Sequence, residues 1–169
     1  MLLSIAKGKN MYDNTVKSNN FKDRSNLPKA LEIWNKNILI AGFGRIGQAL
    51  IKRCMGFEMN VFVYDPFISK DIIENSGGKK VENLSEAVKS MDAISLHMPL
   101  NDETKNMLNK ETIASMKSSS IIINCARGGL INEADLRDSL NSEIIAGAAI
   151  DVYEKEPATE NIMFGAKNL

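Results

Sequence analysis

Two cysteines, one histidine and one tryptophan are all that 169 residues contain of those types, and no charge sign dominates, with Lys plus Arg and Asp plus Glu equal at 21 each. Each shortage removes a class of function. Cys54 and Cys125 stand far apart with no Cys-x-x-Cys, and His97 alone cannot complete a zinc set with them. No metal is therefore expected, and the thiols read as reduced, as in a cytoplasmic protein. A balanced charge withholds the broad attraction that non-specific nucleic-acid or anionic-membrane binding relies on, so a small-molecule partner is expected, with no nucleic acid and no membrane. The apolar opening Met1-Leu-Leu-Ser-Ile-Ala6 is interrupted at Ser4 and closed by Lys7. It is too short for a signal-peptide core or a bilayer span. What the chain does have is bulk: at this length and 44% hydrophobic content it can bury most of the surface its unfolded form exposes, as one compact domain.

Residues 2–6 are apolar enough to begin a helix, whereas residues 9–31 are rich in Asn, Lys and Asp without a helical or strand period, which predicts a polar, solvated loop. Order resumes near Trp34. Ile38–Ala41, Val61–Tyr64, a short stretch at Val81, Ala93–Leu96, Ile121–Asn124 and a segment near 144–150 read as strands. Helical stretches alternate with them: 45–55 with Gly56 as a stop, 69–75 before a Gly77-Gly78 break, 85–90, one after an Asn109 cap, and one capped by Asn132 with Glu133 and Asp135 in its first turn. Continuously apolar strands alternating with helices predict a parallel sheet covered on both faces, a doubly wound α/β domain of Rossmann type. Residues 161–169 finish on an apolar note without a cap or polar tail, as at a cut end.

The first strand runs into "IAGFGRIGQAL", with glycines at Gly42, Gly44 and Gly47. Glycines so spaced serve a plain strand-to-helix turn as readily as a dinucleotide site. In the second case Gly42 permits the tight turn, Gly44 lets the backbone approach a pyrophosphate, and Gly47 lets the helix pack on the strand, with the helix N-terminus facing the phosphates. Such a site also needs an acidic residue at the end of the second strand for the adenosine ribose. Asp65 stands there, 18 positions after Gly47, although an Asp before Pro66 also makes an ordinary turn. Its carboxylate repels the 2′-phosphate of NADP, and Pro66 and Phe67 bring no cation, so NAD is the expected cofactor.

Three further motifs follow in order: "HMPLNDETKNMLN" at 97–109, "NCARGGLINEADL" at 124–136 and "GAAIDVYEKEP" at 147–157. With the glycine motif they resemble the nicotinamide-binding domain of the D-isomer-specific 2-hydroxyacid dehydrogenases, and the D-3-phosphoglycerate dehydrogenase branch in particular. The likeness runs from about Trp34 onward, and residues 2–6 look like the crossover helix leading into that domain. The resemblance implies that Gly42, Gly44, Arg45, Ile46 and Gly47 hold the pyrophosphate and Asp65 the ribose. It places His97, Pro99 and Thr104 along the cofactor cleft, Cys125 and Ala126 against the nicotinamide, and Asp151 on its carboxamide. Arg127 would orient a substrate carboxylate and carbonyl, and Glu156 would pair with a catalytic histidine and raise its pKa. Substrate would be a 2-hydroxy acid or its 2-keto counterpart, and the assembly a homodimer, since in the family this domain carries the subunit contact and the apolar helix 2–6 would be left exposed on a monomer.

His97 is not that catalytic histidine, because in the family the acid–base follows the Glu-Pro motif, beyond Leu169; a simple hydrogen-bonded histidine at a strand end is the other reading of His97. The family's substrate domain is likewise absent from these residues. Other readings stand beside the resemblance: Arg127 as a surface ion-pair residue, Cys54 as a helix residue packed on the sheet, and the chain as a non-catalytic NAD-sensing module like the corepressors that share this domain. Both Arg127 and Glu156 favour the enzyme. Glu156 counts against a formate dehydrogenase of the same fold, and the 124–136 motif against a methyltransferase.

Overall fold

The computed structural model describes residues 1–27 and 29–169. Six strands, β1 (Asn37–Ala41), β2 (Asn60–Tyr64), β3 (Lys79–Val81), β4 (Ala93–Leu96), β5 (Ile121–Asn124) and β6 (Gly147–Ile150), form one sheet in the order β3-β2-β1-β4-β5-β6. Every pairing is parallel. The chain moves outward from β1 through β2 to β3 on one side, then crosses from β3 to β4 on the other side of β1, which creates a topological switch at the carboxyl ends of β1 and β4.

Side-chain alternation divides the strands between two cores. Ile38, Ile40, Val61, Val63, Ile121 and Ile123 face one layer of helices, while Leu39, Ala41, Ile94, Leu96 and Ile122 face the other. Both faces are covered, so β4 and β5 are buried at every residue, as continuously apolar strands require. Each fully buried Leu or Ile contributes about 1.5–3 kcal/mol relative to exposure. Cys54 packs into the first of these layers, and burial pushes its thiol up to about 11, leaving it inert at neutral pH.

Among the described residues seven α-helices complete the fold: α1 (Leu2–Ala6), α2 (Lys9–Lys17), α3 (Arg45–Gly56), α4 (Lys70–Asn75), α5 (Leu84–Ala87), α6 (Lys110–Ala114) and α7 (Glu133–Asn141). The caps expected at Asn109 and Asn132 are formed, their side chains accepting from the backbone N–H of Thr112 and Asp135. Asn83 does the same for Glu86. Each such cap is worth about 1 kcal/mol. Helix α3 stops at Gly56 as the sequence predicts, yet the residue that takes the left-handed conformation is Glu58, at φ 54°.

Two expectations need correction. Residues 9–31 are not simply a loop, for 9–17 form α2 and Phe21–Asn26 a 3-10 turn; Pro28 lies outside the described residues. No residue of α2 or that turn is buried, so no apolar period marks them, and the helix rests on local contacts such as the Lys17–Asp13 pair and Ser18 donating to Asn14 O. Nor is the apolar α1 left bare on a single chain. Leu2 and Ile5 pack against the core beside β5 and β6, leaving Met1 and Leu3 as its exposed apolar side chains.

Candidate cofactor site

Gly42 and Gly44 follow the carboxyl end of β1, with Arg45, Ile46 and Gly47 opening α3 directly beyond; Asp65 follows β2, His97, Pro99 and Thr104 follow β4, Cys125–Arg127 follow β5, and Asp151 and Glu156 follow β6. Parallel strands place all those ends on one edge of the sheet, where open α/β sheets bind ligands.

At the switch point, Gly42 takes φ 106°, which side chains with a Cβ rarely adopt, and an added Cβ would stand 2.6 Å from His97 O. The β1 loop is thereby pressed against the end of β4. Gly47 permits a second close approach, since a Cβ there would collide with Gly42 O. Gly44 is different: its backbone is extended and an added Cβ would meet nothing within 4 Å. It is the N-cap of α3, no side chain caps that helix, and its first-turn N–H groups are free to meet an anion. An open approach, bare N–H donors and a 12-residue helix are the features a pyrophosphate needs.

Beside it lies a cleft of about 310 Å³ lined by Gly42, Gly44, Asp65, His97, Pro99 and Thr104, with Phe43 and Phe67 at its walls. Asp65 plays the turn role as well as facing this cleft: Oδ1 accepts from Phe67 N at 3.0 Å and Oδ2 from Phe43 N at 2.9 Å. The second bond ties the β2 loop to the glycine loop. Each oxygen keeps a further acceptor position, so a ribose diol can be received without breaking either bond. Thr104 is a staple for the β4 loop, its buried hydroxyl donating to Pro99 O at 2.7 Å and accepting from Asn101 N.

His97 is half-buried, and its Nε2 lies 2.8 Å from Ser95 Oγ. Burial holds the imidazole below its ordinary value. The unfolded chain then binds the proton more readily, so this contribution to stability is complete above the ordinary value of about 6.5 and is lost as pH falls through the depressed folded one. As the lone histidine it dominates titration in that window. Denaturant midpoints measured downward from neutral pH are expected to decline, and His97→Asn to flatten the profile; an unchanged slope in the variant would assign it elsewhere.

Cys125, Ala126, Arg127, Asp151 and Glu156 lie outside that cleft, further along the same edge beyond β5 and β6. Cys125 and Asp151 are brought together: burial, and then the Asp151 carboxylate, push the Cys125 thiol up. Arg127 is exposed, its Nη1 donates to Ala126 O at 2.6 Å, and it forms no ion pair among the described residues. Glu156 accepts from Tyr153 N at 3.0 Å.

Sequence reasoning overlooked the groups that hold this end in place. Asn124 is buried and closes β5; its Oδ1 accepts from Ala126 N at 3.0 Å and its Nδ2 donates to Arg127 O at 2.9 Å, so one side chain shapes the Arg127 loop. An amide ending an otherwise apolar strand was its signal in "IIIN".

Known proteins supply an independent comparison. A family model described as the D-isomer specific 2-hydroxyacid dehydrogenase NAD binding domain matches residues 1–169. A D-3-phosphoglycerate dehydrogenase of Methanocaldococcus jannaschii is 42% identical over 141 residues, 83% of this chain and 27% of the relative. A hydroxypyruvate reductase of Blautia hydrogenotrophica is 45% identical over 139 residues, 82% of this chain and 42% of the relative. Among solved structures, a D-lactate dehydrogenase of Aquifex aeolicus, complexed with NAD and lactic acid, superimposes with a TM-score of 0.83 at 30% identity, over 91% of this chain and 45% of that one. The chain thus spans less than half the length of each.

Proposed function

Because the chain belongs to the D-isomer-specific 2-hydroxyacid dehydrogenases, and is an NAD-binding domain of that family, we propose that it forms the cofactor half of an enzyme that interconverts a small 2-hydroxy acid and its 2-oxo acid, in the manner of a D-3-phosphoglycerate dehydrogenase. The observation that carries this reading is the single edge on which an open glycine turn, a carboxylate lining the adjoining cleft, an arginine without an ion pair among the described residues and a second carboxylate are all displayed.

In this reading the N–H groups opening α3 bind the pyrophosphate, Arg45 and Ile46 border it, and Asp65 selects NAD by accepting from the ribose. When bound, NAD supplies the hydride acceptor. Cys125 and Ala126 form the wall against which the nicotinamide end rests, with Asp151 facing its carboxamide. Arg127 binds and orients the substrate carboxylate, and its fork of donors suits that shape better than a lysine would. Glu156 supports a histidine contributed from outside these residues, as the substrate domain is. A homodimer formed on the exposed Met1 and Leu3 side of α1 belongs to the same proposal, and a monomer mass in light scattering at every concentration would remove it.

Arg127→Lys provides the test. In the whole enzyme it should lower kcat/KM for the oxo acid by roughly 2–4 kcal/mol, the scale for losing one charge-assisted partner of a reacting group. NADH affinity should stay as it was. Equal losses in both would mean that Arg127 serves the cofactor or the fold.

A further inference from the structure

Glu133 is the one carboxylate buried among the described residues, and it has no ion-pair partner there. Burying an unpaired charge is expensive unless hydrogen bonds replace its water. Both oxygens are so occupied. Oε1 accepts from Glu154 N at 2.6 Å and Oε2 from Asn161 Nδ2 at 2.8 Å. The residue opens α7, whose N-terminal dipole favours the negative charge, and it directly follows the loop that carries Arg127.

Its two partners lie on the other loop of the site, the one that carries Asp151 and Glu156. That loop touches the Arg127 loop elsewhere too: Asp151 N donates to Asn124 O at 2.9 Å, and a Cβ on Gly128 would collide with Tyr153 O. Tyr153 N in turn donates to Glu156 Oε1. We infer that Glu133 is a positioning residue, a clamp that sets the Glu156 loop against the Arg127 loop and so fixes the distance between the two groups proposed to act on substrate. The inference rests on the function proposed above.

Why a carboxylate is needed follows from the donors. Asn161 presents its NH2 to Glu133 because its own Oδ1 accepts from Met163 N at 2.8 Å, and Glu154 presents a backbone N–H. Two fixed donors, one at each carboxylate oxygen, require an acceptor atom at both ends of the group, and glutamine has one only. Glu133→Gln leaves its new NH2 facing that of Asn161. Adding Asn161→Asp reverses the second bond and restores every partner, with the new carboxylate still able to accept from Met163 N.

Amide exchange in this chain reads the clamp directly. Glu133→Gln should speed exchange across residues 151–161, the double variant Glu133→Gln/Asn161→Asp should slow it again, and the affinity for ADP-ribose, which needs only the glycine and Asp65 end, should not move. In the whole enzyme the single variant should lower kcat for the oxo acid by on the order of tenfold to a hundredfold, the scale of a misplacement of about 1 Å, with recovery in the double. Unchanged exchange and kcat in the single variant, a parallel loss of ADP-ribose affinity, or no recovery in the double would each overturn the clamp. If the unaltered whole enzyme reduces no 2-oxo acid, the proposed reaction fails, while exchange over 151–161 still decides whether Glu133 holds the loop.

Discussion

Given NAD and D-3-phosphoglycerate, D-lactate or D-glycerate, these 169 residues alone are expected to form no NADH while still binding the cofactor. The reaction requires a base for the hydroxyl proton and a surface that closes over the reacting atoms. His97 is the only histidine, and its Nε2 is engaged by Ser95 in a half-buried position near the switch point, beside the glycine loop. Arg127 and Glu156 lie beyond β5 and β6, on the far side of β4 from the glycine loop. Arg127, Asp151 and Glu156 are all exposed along that edge, so water has free access to them and no second surface among the described residues orients a substrate there; orientation alone is worth about 7–11 kcal/mol in such reactions. Absorbance at 340 nm checks the outcome. NADH formation abolished by His97→Asn would make His97 the acid–base and overturn its assignment to the cleft.

Gly44→Val should abolish cofactor binding without unfolding the domain, whereas Gly47→Val should damage the fold itself. The contrast comes from what surrounds each position. Gly44 has extended backbone and open space, so a side chain is tolerated in the free protein but occupies the approach to the α3 N–H donors. Losing about 3 kcal/mol of pyrophosphate interaction corresponds to roughly a hundredfold or more in affinity, by the rule of about 1.4 kcal/mol per tenfold. At Gly47 the added carbon would strike the Gly42 carbonyl, a backbone atom held by the sheet, and overpacking of this kind costs about 1–3 kcal/mol or more. Paired melting curves and NADH titrations separate the two effects. Equal melting losses at both positions would show that Gly44 is a packing glycine too.

The features legible in the sequence were those whose physics is local. Apolar runs at Ile38–Ala41, Ala93–Leu96 and Ile121–Asn124 became buried parallel strands because each alone carries the pattern that two covered faces require, and Asn109 and Asn132 announced their helices because a cap bonds only three residues ahead. Helix α2 was missed for the converse reason: it buries no side chain and so shows no apolar period. The positions of Gly42, Gly47 and Asp65 followed from a spacing, but the bond from Phe43 N to Asp65, which unites two loops, joins residues 22 apart and leaves no mark on either. Glu133 shows the limit most clearly. Beside the Asn132 cap it looks like a first-turn acid serving the helix dipole, and only the tertiary fold turns it inward to partners 21 and 28 residues away.

Whether the glycine turn and Asp65 form a site for NAD rather than NADP is tested most directly by titrating this chain with NADH and NADPH in parallel. NADH at about a hundred times its dissociation constant should stabilise the fold by about 2.7 kcal/mol, read as a rise in melting temperature, with little or no rise from NADPH at the same concentration. Asp65→Ala should lose much of the NADH effect and some intrinsic stability, because Phe43 N and Phe67 N lose their acceptor along with the ribose. A rise with NADPH equal to or larger than that with NADH would contradict the role given to Asp65 and, with it, the assignment of NAD to this site.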